Sequence, residues 1–87
     1  MRYFFTRHAL ERMKERSISK RLIGIAFANP TKVLYDDSDR VLIKKLYKKS
    51  GTDRLLMIAG KLEKGGFKII TVIETSKIRK YLWVKII

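Results

Sequence analysis

Apolar positions along this chain change their spacing at Pro30: before it they recur every three or four residues, and after it they alternate or run together. Arg2-Tyr3-Phe4-Phe5 is β-prone and stops at Thr6, whose hydroxyl can accept a backbone N–H and open a helix. On that helix His8, Glu11, Arg12 and Glu15 share one face, while Ala9, Leu10 and Met13 share another, so the polar side chains should look outward. A sharp break follows. Ser19 is placed to cap a second helix, with Ile18 before the cap and Ile23 at the fourth helical position, the spacing of a hydrophobic staple. Leu22, Ile23, Ile25, Ala26 and Phe27 make this helix apolar around most of its circumference, so it should be the more buried of the two and end before Pro30.

Four strand-like segments follow, over residues 32–36, 40–49, 54–62 and 67–74, separated by Asp37-Ser38-Asp39, Ser50-Gly51-Thr52-Asp53 and Glu63-Lys64-Gly65-Gly66. Connections this short favour antiparallel hairpins, because a parallel crossover needs a dozen or more residues. The nearly continuous apolar runs 55–59 and 69–73 suit central strands covered on both faces. The expected fold class is α+β, in the order β-α-α-β-β-β, with an antiparallel sheet and two N-terminal helices on one of its faces. Ser76 is placed to cap a short helix over 77–82. The tail 82–87 has five apolar residues in six, and should extend and pack on its own sheet or on another chain, for instance in a homodimer.

Composition narrows the partners. One domain accounts for all 87 residues. With 21 Lys and Arg against 8 Asp and Glu, the net charge is +13, which makes nucleic acid the leading partner class ahead of an acidic protein. The longest uncharged run, residues 22–31, is too short to span a bilayer, and residues 1–5 lack the apolar length of a signal peptide, so a cytoplasmic location with no membrane contact is expected. No cysteine and a single histidine exclude disulfides and an ordinary zinc site, and no cofactor is expected.

The block Thr6-Arg7-His8-Ala9-Leu10-Glu11-Arg12-Met13-Lys14-Glu15-Arg16-Ser17-Ile18-Ser19, with Asn29-Pro30 and Thr75-Ser76-Lys77, resembles a family of small prokaryotic domains that groups with BrnT and RelE-type toxins. The resemblance spans most of residues 1–82. It implies a RelE/BrnT-like α+β fold over 1–87 and a toxin acting as a free or ribosome-dependent ribonuclease, or on DNA gyrase, neutralised by an antitoxin.

RelE-type chemistry, by that resemblance, drives a ribose 2′-hydroxyl onto the adjoining phosphate without a metal. It requires a base, a proton donor and fixed positive charge. Candidate catalytic residues are His8 as base or acid, Arg12 as phosphate clamp, and Lys48 as clamp or proton donor. His8 and Arg12 match the family's helix signature. The equally weighted alternative for His8 is a local hydrogen bond, with Glu11 and Glu15 pairing Arg12 or Arg16. Tyr47 and Tyr81 could stack on bases, and Arg16, Lys77 and Arg79 add phosphate contacts, so three basic segments would converge on RNA or the ribosome. Lys44-Lys45-Leu46-Tyr47-Lys48-Lys49 reads either as such a track or as a lysine-protected strand. Asp36-Asp37-Ser38-Asp39 is better explained as a β-turn than as a metal site. The competing functions are a non-catalytic nucleic-acid-binding domain and an interaction module that receives an acidic antitoxin.

Overall fold

The computed structural model describes residues 2–83. Its elements are β1 (Tyr3–Phe5), α1 (Arg7–Glu15), α2 (Lys20–Ala28), β2 (Lys32–Tyr35), β3 (Arg40–Lys49), β4 (Thr52–Glu63), β5 (Gly66–Thr75) and α3 (Ile78–Tyr81). The fold is α+β. All four segments after Pro30 join the sheet, so the order is β-α-α-β-β-β-β-α, one strand and one terminal helix longer than β-α-α-β-β-β. The sheet is also mixed. Strand order is β1-β5-β4-β3-β2, and β1 lies parallel to β5 with Tyr3 opposite Phe67 and Phe5 opposite Ile69. That pairing joins distant parts of the chain without a local crossover, which short connections cannot reveal. The remaining pairs are antiparallel.

Both N-terminal caps form as expected. Thr6 Oγ1 accepts the amide of Ala9 at 3.1 Å and Ser19 Oγ accepts that of Leu22 at 3.1 Å. Between the helices Ser17 turns the chain at φ 54°, and Ile18 and Ile23 are both buried in the core. Ala9 and Met13 anchor α1, while Leu10 faces solvent. On α2 Ile23 and Ala26 are buried, Leu22 and Phe27 pack beside them, and Ile25 is 41% exposed, so the helix has one clear inner face instead of being buried all round.

Strand alternation sorts the sheet into two cores. On the face under α1 and α2 lie Val41, Ile43, Leu56, Ile58, Phe67, Ile69 and Val72. On the other lie Leu42, Leu55 and Met57, packed against Ile78, Tyr81 and Leu82. α3 therefore sits opposite the first two helices. Its N-cap is Lys77 without a side-chain cap, so Ser76 does not cap it; the Thr75 hydroxyl instead accepts the Lys77 amide at 3.0 Å. The part of the expected extended tail over 84–87, and any dimer made through it, lie outside the described residues. Among the described residues no helix is long and apolar enough to cross a membrane.

Two turns set the register that matters below. Ser50 and Gly51, at φ 52° and 78°, close a two-residue hairpin that places Tyr47 opposite Arg54 and Lys49 opposite Thr52. In the 36–39 turn, Asp36 Oδ1 accepts the amides of Ser38 at 2.8 Å and Arg40 at 3.0 Å, as a turn-forming aspartate does. Desolvation alone would raise the Asp36 pKa, but these two amides and the Arg40 guanidinium pull it below the ordinary carboxylate value.

Candidate functional site

At the end of the helix-covered face where β3 finishes and β4 begins, three strands contribute a polar cluster. Tyr47 (β3) donates its hydroxyl to Glu74 Oε2 (β5). Lys49 Nζ lies 3.6 Å from the same oxygen, and Arg54 Nη1 (β4) lies 3.7 Å from Oε1. The Glu74 side chain is 10% exposed, whereas Lys49 and Arg54 stand partly in solvent. A carboxylate enclosed this far requires compensating charge and hydrogen bonds, and all three neighbours supply them. Burial, followed by the hydrogen bond to Glu74 and its charge, pushes the Tyr47 hydroxyl above the usual tyrosine range, with Arg54 opposing. Arg54 Nε is buried without a hydrogen-bond partner among the described residues, an uncommon state for a charged group's donor. The cluster thus holds an acceptor, a protonated phenol and two cations within a few ångströms.

Of the residues expected from sequence to carry chemistry, only Tyr47 belongs to this cluster. His8, Arg12 and Arg16 project from α1 or its end into solvent, and Arg12 forms one loose pair with Glu15 at 3.9 Å. Lys48 alternates with Tyr47 and so points from the opposite face, where it pairs with Asp53 at 2.7 Å. Lys77 and Arg79 are exposed at α3, on that same opposite face. Tyr81 is half-buried in the second core, with Lys80 Nζ 5.3 Å from its ring centroid. The three basic segments therefore do not converge: α1 lies on one face of the sheet, and Lys48 and α3 lie on the other.

Lys44 departs most from the sequence reading. β3 lies between β2 and β4, so its lysines guard no edge. Lys44 is fully buried and donates to the carbonyl of Tyr81 and, at 3.0 Å, to that of Leu82, closing the end of α3. Desolvation, and secondarily the charge of Lys32, lower its pKa from the ordinary lysine value.

Glu74 and Arg54 have no place in the sequence reading, and Lys49 enters it only as the end of the basic run 44–49. Counting strand parity back from the Ser50-Gly51 turn would have paired Tyr47 with Arg54, but Glu74 enters through register across β4 and β5, where a bulge between Ala59 and Gly60 shifts the count.

The fold and cluster together define a small, strongly basic α+β domain with a polar site at one end of its sheet. Residues 5–74, from the end of β1 through most of β5, match the family described as a domain of unknown function (DUF4258), and the chain belongs to that family. No curated protein matches the chain, and no solved structure does.

Proposed function

We propose that this domain is an RNA-binding protein of the toxin class that RelE and BrnT represent, cleaving RNA without a metal at the Tyr47–Glu74 cluster. The observation that carries the reading is the Glu74 carboxylate, enclosed beside a phenol and two cations on a domain with net charge +13. Glu74 takes the proton from a ribose 2′-hydroxyl, O2′ attacks the neighbouring phosphorus, and the bond from phosphorus to O5′ breaks, giving a 2′,3′-cyclic phosphate and a 5′-hydroxyl. Tyr47 supplies the proton to the leaving oxygen, for which its hydroxyl has to leave the Glu74 carboxylate. Arg54 and Lys49 stabilise the charge that accumulates on the phosphorane, and the unpartnered Arg54 Nε is consistent with a donor reserved for an anion. His8, Arg12 and Arg16 on α1 attract and position the chain electrostatically. An acidic antitoxin is the protein partner this charge suits, and the translating ribosome is a second source of substrate.

The competing reading is RNA binding without cleavage. It is favoured by the fact that Glu74 already engages both cations and the phenol, as a purely structural strut would. Wild type, Glu74→Gln, His8→Ala and Arg12→Ala are to be incubated with RNA, and with translating ribosomes, in the presence of chelator. The proposal expects Glu74→Gln to slow cleavage by about 10²–10⁴-fold with RNA affinity retained. Equal cleavage by Glu74→Gln would remove the cluster from the mechanism. Salt-sensitive binding by wild type without cleavage in either assay would leave a binding domain.

A further inference from the structure

β2 is one edge of the sheet, and its backbone offers unused hydrogen bonds. Asp36 N donates to Arg40 O at 3.1 Å, which makes residues 36 and 40 a hydrogen-bonded pair. Counting back by twos, the amides and carbonyls of Lys32 and Leu34 turn toward β3, and those of Val33 and Tyr35 turn away from it. Among the described residues nothing bonds these outward groups. Proteins ordinarily blunt such an edge with charge or proline, and Val33-Leu34-Tyr35 has neither. Each face beside the edge also holds an aromatic side chain in solvent. Tyr35, which alternates with Val33 onto the helix-covered face, is 63% exposed. On the α3 face Trp83 is 73% exposed, with Lys32 Nζ 4.3 Å from its ring centroid. These are the two most exposed large apolar side chains among the described residues.

We propose that this edge pairs antiparallel with the β2 edge of a second copy of the chain, about a twofold axis at Leu34, joining two five-stranded sheets into one of ten strands. A copy is selected over an unrelated strand because the edge complements itself. With residue 34 on the axis, Val33 of each chain lies opposite Tyr35 of the other; all four have outward amides and carbonyls, so each pair exchanges both N–H···O bonds. A β-branched residue against an aromatic is also a favourable cross-strand pair, and it covers the tyrosine ring. A shift of two residues would set Val33 or Tyr35 against itself and leave the other opposite Tyr35→Thr31 or Val33→Asp37 partners outside the strand. The ends match in charge. Lys32 of each copy meets the turn of the other, where Asp36 is held by its own loop but Asp37 is exposed. These ends favour the antiparallel sense, while repulsion between two chains of net charge +13 weakens the dimer at low salt. An axis perpendicular to the sheet keeps like faces together, so both Glu74 clusters would lie on one side.

The chain has no cysteine, so one introduced singly reports on its own neighbour. At the axis the two Leu34 residues form a non-hydrogen-bonded pair with Cα atoms about 4.5 Å apart, within the reach of a disulfide. Leu34→Cys should therefore give a covalent dimer under mild oxidation. Val33→Cys and Tyr35→Cys should not, because each then lies two residues along the strand from its own copy, beyond that reach. Nuclease-treated wild type and Tyr35→Lys, which charges the edge without entering the core, are to be followed by sedimentation velocity across protein concentrations at low and high salt. Circular dichroism checks the folding of every variant. The proposal expects a concentration-dependent dimer that strengthens with salt, and that Tyr35→Lys weakens about tenfold or more through the loss of two Val33–Tyr35 pairs. A wild type that stays monomeric throughout would overturn the dimer and leave the edge to some other extended chain. A dimer that Tyr35→Lys does not weaken, or that cross-links through position 33 or 35 and not 34, would put the interface elsewhere and overturn the proposal equally.

Discussion

Replacing Glu74 by Ala and Tyr47 by Phe, singly and together, isolates the hydrogen bond at the centre of the candidate site. The two ion pairs of Glu74, at 3.6 and 3.7 Å, reach Lys49 and Arg54 side chains that are 43% and 33% exposed. Screening at that exposure limits each pair to about 1 kcal/mol or less. The hydrogen bond from Tyr47 ends on a charged, largely enclosed acceptor, so its loss costs about 1.5–3 kcal/mol. Glu74→Ala should therefore destabilise by about 2–4 kcal/mol, which in a domain of this size lowers Tm by roughly 10–30 °C. Tyr47→Phe should cost only the hydrogen-bond part. The double variant should fall well short of the sum, with a coupling of about 1–3 kcal/mol. Urea unfolding followed by circular dichroism at pH 7 supplies all four stabilities. Additivity within about 0.5 kcal/mol would refute the geometry, since it would mean that the phenol and the carboxylate do not depend on each other.

Two further outcomes test the fold and the electrostatics. Ile23→Ala, at a fully buried position, should cost about 2–5 kcal/mol, whereas Ile25→Ala, two residues on but outward-facing, should cost under about 1 kcal/mol; the reverse order in urea unfolding would place α2 on the wrong face. In alkaline titration followed by tyrosinate absorbance, Tyr47 should give a fraction that ionises above the usual tyrosine range, and Tyr47→Phe should delete that late fraction. Because its folded pKa lies above the unfolded one, the stability it contributes is complete below about pH 10 and is lost as pH climbs through the folded value. A late fraction that persists in Tyr47→Phe would assign it elsewhere.

Local signals in the chain were legible. Thr6 and Ser19 cap where hydroxyls precede helical spacing, Ile18 and Ile23 form the staple, and the outward face of α1 carries His8, Glu11, Arg12 and Glu15. What escaped was non-local. The parallel partner of β1 lies more than sixty residues away, and nothing near Tyr3 or Phe5 encodes it. The side on which α3 packs depends on which strand faces carry Leu42, Leu55 and Met57, a consequence of register between β3 and β4. Register also explains the candidate site: Tyr47 was recognisable as an aromatic among lysines, but its partner Glu74 is twenty-seven positions later and meets it only across β4. Lys44 was indistinguishable in sequence from its neighbours Lys45 and Lys48, yet alternation in an interior strand places it under α3.

The parallel pairing of β1 with β5 also constrains how the chain assembles as it is made. Thr6 N donates to Ile69 O at 3.0 Å and Thr6 Oγ1 to Ile70 O at 3.1 Å, so the cap that opens α1 is fastened to the last strand of the sheet. The β2 to β5 hairpins need only neighbouring residues, whereas seating the first helix requires closing a loop of more than sixty. During synthesis the N-terminal strand and α1 are made first but can dock only after residues 67–70 have emerged. The histidine- and arginine-bearing helix is therefore expected to join the sheet last, and any partner that grips that helix early would hold the protein in an unfinished state.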